Sequence, residues 1–135
     1  MKQLVALAIA MVIAVSTNAA NLNKVYEDDY STVFVSEKSR SGDKVEAYVT
    51  TGYKQNMNMN MNMNLLNTVK FEYDTKVESI EFICSTPRKS KDLEVHYYLD
   101  REKIDEYDFR SFSSYKELDL STKKSAIADF LCSKQ

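Results

Sequence analysis

The sequence predicts an α+β fold, an antiparallel meander of five or six strands with one C-terminal helix packed on the sheet and tied to it by a disulfide. Three observations lead to this prediction. Apolar and polar residues alternate with a period of two through the middle of the chain. Near the C-terminus the spacing of apolar residues changes to that of an amphipathic helix. The two cysteines lie one in each pattern, Cys84 in the last residue of an alternating segment and Cys132 near the end of the helical one.

The first twenty residues have the features of a secretory signal peptide. Lys2 precedes an apolar run from Leu4 to Val15, and small residues follow up to Ala19 and Ala20. A run of this length is too short to anchor a chain across a bilayer. We therefore expect residues 1–20 to be removed and residues 21–135 to form one exported domain without stable membrane insertion. The domain would be periplasmic, secreted or at the cell surface, and not lipid-anchored, because no cysteine directly follows the run.

Five segments alternate as strands with one buried and one wetter face do. They are STVFVS (31–36), KVEAYVT (44–50), TVKFEYD (68–74), SIEFIC (79–84) and LEVHYYL (93–99). KVYED (24–28) is a candidate for an earlier strand and EYDFRSF (106–112) for an edge strand. Turn signals in KSRSGD (38–43) and TPRKS (86–90) indicate hairpins. DTKVE (74–78) is interpreted as a short link, and REKIDEYD (101–108) is left open between a helical turn and a loop.

Residues 56–64 form a perfect two-letter repeat, NMNMNMNMN. Three interpretations apply to it: a thioether metal site, a strand with one apolar face, or an unconstrained loop. Asparagine is a poor strand former. We therefore predict a mobile, low-complexity hairpin loop over 54–64, with strand extension limited to its ends.

The C-terminal segment STKKSAIADFLC (121–132) predicts the helix. Asp119 or Ser121 is a suitable N-cap, and Lys124, Ile127, Ala128 and Leu131 follow helical spacing. In an exported chain an even number of cysteines is typical of a disulfide. A bridge from Cys84 to Cys132 would fasten the helix to the buried face of the sheet. In the chain-entropy model it removes about 4 kcal/mol from the unfolded state.

Composition excludes several classes of function. The net charge is −2, and −3 once Lys2 is lost with the signal peptide, which gives no basis for binding nucleic acid. His96 is the only histidine and alternates with Glu94 and Tyr98 on the polar side of its strand. Only two glycines are present, so a phosphate-binding loop is not expected. No calcium-loop pattern occurs in the acidic stretches. We therefore predict a protein that is not an enzyme and carries no cofactor.

Tyrosine is the residue type that suggests a binding surface. The chain has nine tyrosines, and tyrosine gives large contact areas at low entropic cost. Tyr73 and Tyr97 fall on predicted core faces. Tyr48 and Tyr98 fall on the opposite face, beside His96, and Tyr53 lies where the strand meets the repeat. We predict Tyr48, Tyr53, His96 and Tyr98 as candidate binding residues, with ordinary cross-strand pairing as the alternative.

The combined pattern resembles a known family. STVFVSEKSRSGDKVEAYVTTGYK, a variable loop, TVKFEYDTKVESIEFIC and a final KSAIADFLC are similar to the surface-adhesin protein E family of Gram-negative bacteria. The resemblance extends from about Lys24 to Cys132. It implies a small exported antiparallel sheet whose C-terminal helix is tied by a disulfide. It also implies contact with host extracellular-matrix proteins, although this chain lacks the lipidation cysteine of the best-known member and any tryptophan.

Three functional hypotheses follow from the sequence. The first is an exported binding protein of the adhesin E type, which contacts a protein partner. The second is a periplasmic Cu(I) or Ag(I) binder that uses the soft thioethers of Met57, Met59, Met61 and Met63. The third is a periplasmic inhibitor or immunity-type protein, which the sequence does not separate from the first. We take the first as the prediction.

Overall fold

The fold is seen in a computed structural model, which describes residues 22–62, 68–119 and 123–133. These residues form one antiparallel sheet and one helix. The strands are β1 (Asn23–Glu27), β2 (Ser31–Ser41), β3 (Lys44–Asn62), β4 (Thr68–Ile83), β5 (Lys89–Leu99), β6 (Glu102–Asp108) and β7 (Lys116–Glu117). The helix is α1 (Lys123–Cys132). Strands β1 to β6 neighbour one another in chain order, and the short β7 pairs with β5.

The predicted antiparallel meander with one C-terminal helix is confirmed, with seven strands rather than five or six. The described residues are mostly sheet, and the single helix has ten residues, so the label α+β overstates the helical share. The predicted signal peptide lies outside the described residues. No helix within the described ranges is long and apolar enough to cross a membrane.

The prediction of a link at DTKVE (74–78) is wrong, because β4 continues through it without interruption. Thr75 pairs with Gly52 on one side and Tyr98 on the other, and Val77 pairs in the same way with Thr50 and His96. Strands on both sides supply backbone partners to the polar residues of this segment. The charged residues Asp74, Lys76 and Glu78 therefore lie within a continuous strand.

The prediction of a loop at 54–64 is also wrong for residues 54–62, which belong to β3. Met57 pairs with Tyr73, and Met59 pairs with Phe71. Backbone pairing with an aromatic-rich strand compensates for the low strand propensity of asparagine. Met63 and Asn64 lie outside the described residues.

The segment left open between helix and loop, residues 101–108, forms most of a hairpin with β5. Leu99 pairs with Glu102 around the two-residue turn of Asp100 and Arg101, which have φ of 50° and 72°. Two positive φ values are typical of the type I′ turns that close hairpins. The edge strand proposed at 106–112 lies instead at Glu102–Asp108. This turn contains neither glycine nor asparagine, so it lacks the usual sequence signal of a tight hairpin.

The hydrophobic core lies between the inner face of the sheet and α1. The strands contribute Val33, Val35, Val45, Ala47, Val49, Ile80 and Phe82, and the helix contributes Ile127, Ala128 and Leu131. The predicted disulfide is confirmed: Cys84 and Cys132 are bonded, with their Cα atoms 5.5 Å apart. Polar contacts also hold the helix. Arg40 donates to the Leu131 carbonyl over 2.8 Å, and Lys123 donates to the Ser31 hydroxyl over 2.9 Å.

A second cluster, mainly aromatic, lies beyond the helix at the far end of the hairpin of β3 and β4. Tyr73 and Tyr97 are buried there, as predicted, with ring centroids 4.7 Å apart in an edge-to-face arrangement. Partly buried neighbours complete it: Tyr53, Met59, Phe71, Tyr107 and Phe109. Edge-to-face packing adds about 1 kcal/mol per pair beyond the burial of area. Side chains of the sheet itself therefore shield this part of the molecule.

Candidate binding surface

The outer face of the sheet, opposite α1, brings together three of the four predicted binding residues. Register sets them in rows across three strands, with Tyr48 opposite Ser79, and Ser79 opposite Glu94. The same register sets Val77 opposite His96 and Thr75 opposite Tyr98. Together they form a depression of about 220 Å³, hereafter the outer-face depression, lined by Tyr48, Val77, Ser79, Glu94, His96 and Tyr98.

The shape of the depression follows from side-chain size along β4. Val77 and Ser79 are short and buried, so they form a low floor in the middle strand. Tyr48 on β3 and the longer side chains of β5 stand on either side as half-buried walls. A small residue between large ones on one sheet face leaves a shallow space for a partner's side chain. Walls of tyrosine and histidine offer both apolar surface and hydrogen-bonding tips.

A charged network borders the depression on the side of β5 and β6. Arg110 donates to Glu94 over 2.8 Å, and the His96 Nε2 lies 3.2 Å from Glu94 and 3.3 Å from Glu106. The hydrogen bond from Arg110 is the main reason that the pKa of Glu94 is lowered, with the nearby His96 contributing less. Glu94 therefore stays ionised to lower pH than a free glutamate and fixes the ring of His96.

The opposite rim carries a lysine that interacts with both an acid and an aromatic ring. The Lys38 Nζ lies 2.7 Å from Glu46 and 5.5 Å from the centroid of the Tyr48 ring. The hydrogen bond to Glu46 is the main reason that the pKa of Lys38 is raised. The cation lies within the range of an attractive contact with an aromatic ring. Lys38 therefore contacts Tyr48 while it is ion-paired with Glu46 at the rim.

Tyr53 lies apart from the other three predicted residues. It sits in the aromatic cluster of the inner side, with its ring 5.6 Å from that of Tyr73 in an edge-to-face contact. Burial is the main reason that the pKa of Tyr53 is raised. Strand alternation explains this placement. Tyr53 lies an odd number of positions after Thr50 and Tyr48, whose side chains are on the outer face, so its own side chain is on the opposite face. Tyr53 therefore belongs to the packing of the sheet.

Sequence reasoning set Glu94 on the same side as His96 without naming it as a binding residue, and it missed other members of this surface: Val77, Ser79 and the flanking Lys38 and Arg110. The alternation of Thr75, Val77 and Ser79 was a signal for the first two. It was lost because residues 74–78, which include Thr75 and Val77, were interpreted as a link, so the alternation did not extend from Ser79 back to them. Arg110 was not identifiable because it follows β6 and reaches Glu94 only through the chain reversal at Asp100.

A second depression of about 260 Å³ lies beside α1, lined in part by Asp92, Phe109, Phe112 and Lys124. Its two charged groups across the sheet–helix boundary, Lys124 and Asp92, pair with each other over 3.2 Å. Lys116 also lines this depression. Phe112 is 73% exposed at its margin.

The described residues offer few groups for covalent or metal chemistry. Both cysteines are in the disulfide, and the described part of the chain holds no cluster of three His, Cys, Asp or Glu side chains that could bind a metal ion. The arrangement on the outer face is suited to non-covalent contacts with aromatic, apolar and charged groups. In comparisons with protein-family models, curated proteins and solved structures, nothing matches this chain.

Proposed function

We propose that this protein is a non-enzymatic, exported binding protein that contacts a protein partner through the outer face of its sheet. The observation that carries the proposal is the outer-face depression, in which Tyr48, His96 and Tyr98 surround a floor of small side chains. Tyrosine and arginine are enriched where protein interfaces gain most of their affinity, in buried pockets surrounded by a polar rim. Lys38 and Arg110, each paired with a glutamate, are polar groups at the two rims.

The arrangement of sheet and helix also supports the outer face as the binding surface. Among the described residues all strands belong to one sheet, and the one helix packs on the inner face. The outer face therefore has no second layer within those residues. Small buried side chains on it, such as Thr50 and Ser79, are shielded by their larger neighbours. A rigid sheet can present such a face to a partner with little loss of conformational entropy on binding.

The class of partner is proposed from the resemblance to the surface-adhesin protein E family, which implies host extracellular-matrix proteins. The signal-peptide pattern of residues 1–20 supports export, which such contact requires. An inhibitor or immunity-type role would use the same surface on an enzyme instead.

Binding assays against purified matrix proteins test the proposal. The double variant Tyr48→Ser/Tyr98→Ser should weaken binding at least about tenfold, because it removes two aromatic walls. Tyr30→Ser is the matched control, since Tyr30 is 77% exposed in the turn before β2 and away from the depression. Equal binding by the wild type and the double variant would show that the outer face is not the contact surface. No binding to any matrix protein, together with retention in the periplasm, would argue against host contact.

A second candidate, Cu(I) or Ag(I) binding, is favoured by the register of β3. Met57 and Met59 pair opposite Tyr73 and Phe71, so their thioethers lie on one side of the strand. Thioethers favour these soft ions. Replacement of Met57, Met59, Met61 and Met63 by leucine should abolish Ag(I) binding measured by calorimetry. Unchanged Ag(I) affinity in that variant would eliminate this candidate.

A further inference from the structure

The outer half of the β3–β4 hairpin is a two-stranded ribbon, formed by residues 55–62 of β3 with residues 68–73 of β4. The pairing of β3 with β2 ends at Tyr53 opposite Ser31, and the backbone N–H of Lys54 donates to the Tyr30 carbonyl over 2.9 Å. The pairing of β4 with β5 ends at Thr75 opposite Tyr98. Beyond these points, β3 and β4 pair only with each other among the described residues.

The ribbon leaves backbone groups of β3 without a partner among the described residues. In an antiparallel pair, every second residue of a strand directs its N–H and C=O away from its partner. From Gln55 onward, β3 therefore presents a row of such groups on the side away from β4. An exposed row of this kind is a template for pairing with another strand.

The sequence of the β3 edge does little to prevent pairing with another strand. No charged residue occurs between Lys54 and Lys70, whereas native sheets commonly protect open edges with charges. Asn56, Asn58 and Asn60 are exposed, as is Met57, which is 40% exposed. The β4 edge of the same ribbon is protected, because it carries Lys70 and Glu72 and is followed directly by Asp74. Asp74 also accepts a hydrogen bond from the Asp100 backbone over 3.1 Å.

We propose that the open edge of β3 pairs with the same edge of a second copy of the chain, which forms an antiparallel, two-fold symmetric dimer. The repeat is complementary to itself in this arrangement. A two-fold axis at any of its residues sets methionine opposite methionine and asparagine opposite asparagine. A shift of the axis by one residue preserves that match, because the repeat has a period of two. Asparagine rows can then hydrogen-bond across the two copies, as in stacked strands.

A second copy fits this edge better than an unrelated peptide. A foreign strand would gain the backbone hydrogen bonds, but only another NMNMNMN strand matches both side-chain rows at once. The two-fold arrangement also closes on itself, because it uses the same edge of both chains. The pairing involves few residues and a small area, which places it among weak associations. This dimer does not depend on the proposed function, since it uses a different part of the sheet.

Sedimentation measurements on the protein as purified from cells test this proposal. They should cover about 10 µM to about 1 mM, because so small an interface gives weak association. The wild type should dimerise. Asn58→Lys/Asn60→Lys should raise the dissociation constant at least about tenfold, because like charges then face one another across the pairing. Ser39→Lys/Ser111→Lys adds the same charge at exposed positions away from the ribbon and should dimerise as the wild type does.

Hydrogen exchange of the wild type provides a readout that needs no variant. Amides of residues 55–62 should exchange more slowly as protein concentration rises, while those of residues 45–52 should not change. A wild type that stays monomeric throughout the range would overturn the proposal. So would dimerisation that survives the two lysines, or growth into open-ended fibres, which a closed two-fold contact does not produce.

Discussion

The two halves of the β3–β4 hairpin contrast sharply, although each strand runs through both. In the inner half, residues 45–52 pair with residues 75–82, with β2 on one side and β5 on the other. Their inward side chains pack beneath α1. In the outer half, the ribbon has no further strand beside it among the described residues. The register between the halves is interrupted, from Gly52 opposite Thr75 to Met57 opposite Tyr73.

We expect local stability to differ between the two halves although both are paired. Both halves pair in an antiparallel ladder, but only the inner half has lateral neighbours and a helix above it. A two-stranded hairpin by itself is marginally stable in water. We therefore expect the inner half to unfold only with the whole domain and the ribbon to open by itself.

The largest effect is expected from the bridge that secures the inner half. Cys84→Ser/Cys132→Ser removes a cross-link between residues 48 positions apart. The free energy of unfolding should fall by about 4 kcal/mol, because the unfolded chain regains the entropy that the loop had lost. Urea denaturation measures it, with the reduced wild type as a control for the substitutions themselves. A fall below about 1 kcal/mol would mean that packing alone holds the helix in place.

The next largest effect is expected when a buried helix side chain of the same core is shortened. Leu131 is fully buried against the inner face. Leu131→Ala should cost about 3 kcal/mol of unfolding free energy, since it removes apolar contacts and leaves a cavity. Phe130→Ala is a matched control on the same helix, because Phe130 is only partly buried. Similar losses in the two variants would contradict the assignment of the core to this face of α1.

A methionine of the ribbon provides the direct comparison. Met59 is only partly buried against the aromatic cluster, so Met59→Ala should cost about 1 kcal/mol or less of global stability. Amides of residues 57–62 should exchange faster in this variant, while those of residues 45–52 remain as protected as in the wild type. Equal acceleration in both halves would show that the hairpin opens as one cooperative unit.

The smallest effect concerns the charged rim beside β5. Arg110→Gln should lower stability by about 0.5 kcal/mol near neutral pH, because Arg110 is 44% exposed and solvent screens its pair with Glu94. The folded pKa of Glu94 lies below the ordinary glutamate value of 4.5. The contribution is therefore present above about pH 4.5 and is lost as pH falls through the lower folded value. NMR titration should show a higher pKa of Glu94 in this variant. In the control variant Lys103→Gln, the pKa of Glu94 should equal that of the wild type.

Much of the inner half could be predicted from the sequence. Alternation at residues 44–50 and 79–84 identified the buried Val45, Ala47, Ile80 and Phe82. Helical spacing identified Ile127, Ala128 and Leu131, and the cysteine count gave the bridge. These signals are strong because each side chain has one clear environment, which fixes its polarity. The candidate surface was predicted in part, since alternation set Tyr48, His96 and Tyr98 on one side.

The errors arose where a residue's neighbours in space, and not its own propensity, determine its structure. DTKVE and the repeat look unsuited to strands when each is considered alone. In the fold, Lys76 is kept charged despite its burial, because burial lowers its pKa less than Glu78, Tyr53 and Tyr97 together raise it. Tyr53 was predicted to lie on the surface because its aromatic neighbours are distant in sequence. Tyr73 and Tyr97 lie on other strands, at least 20 positions away along the chain.

The sequence by itself determined the strand periodicity, the C-terminal helix, the pair of cysteines and the side of the sheet that each alternating residue faces. These depend on local hydrophobic spacing, which every residue carries with it. Only the tertiary structure decided that β4 is one strand, that the repeat is paired and that Val77 and Ser79 form the floor between Tyr48 and His96. Those features depend on hydrogen bonds and contacts supplied by neighbouring strands, so they exist only once the strands have come together.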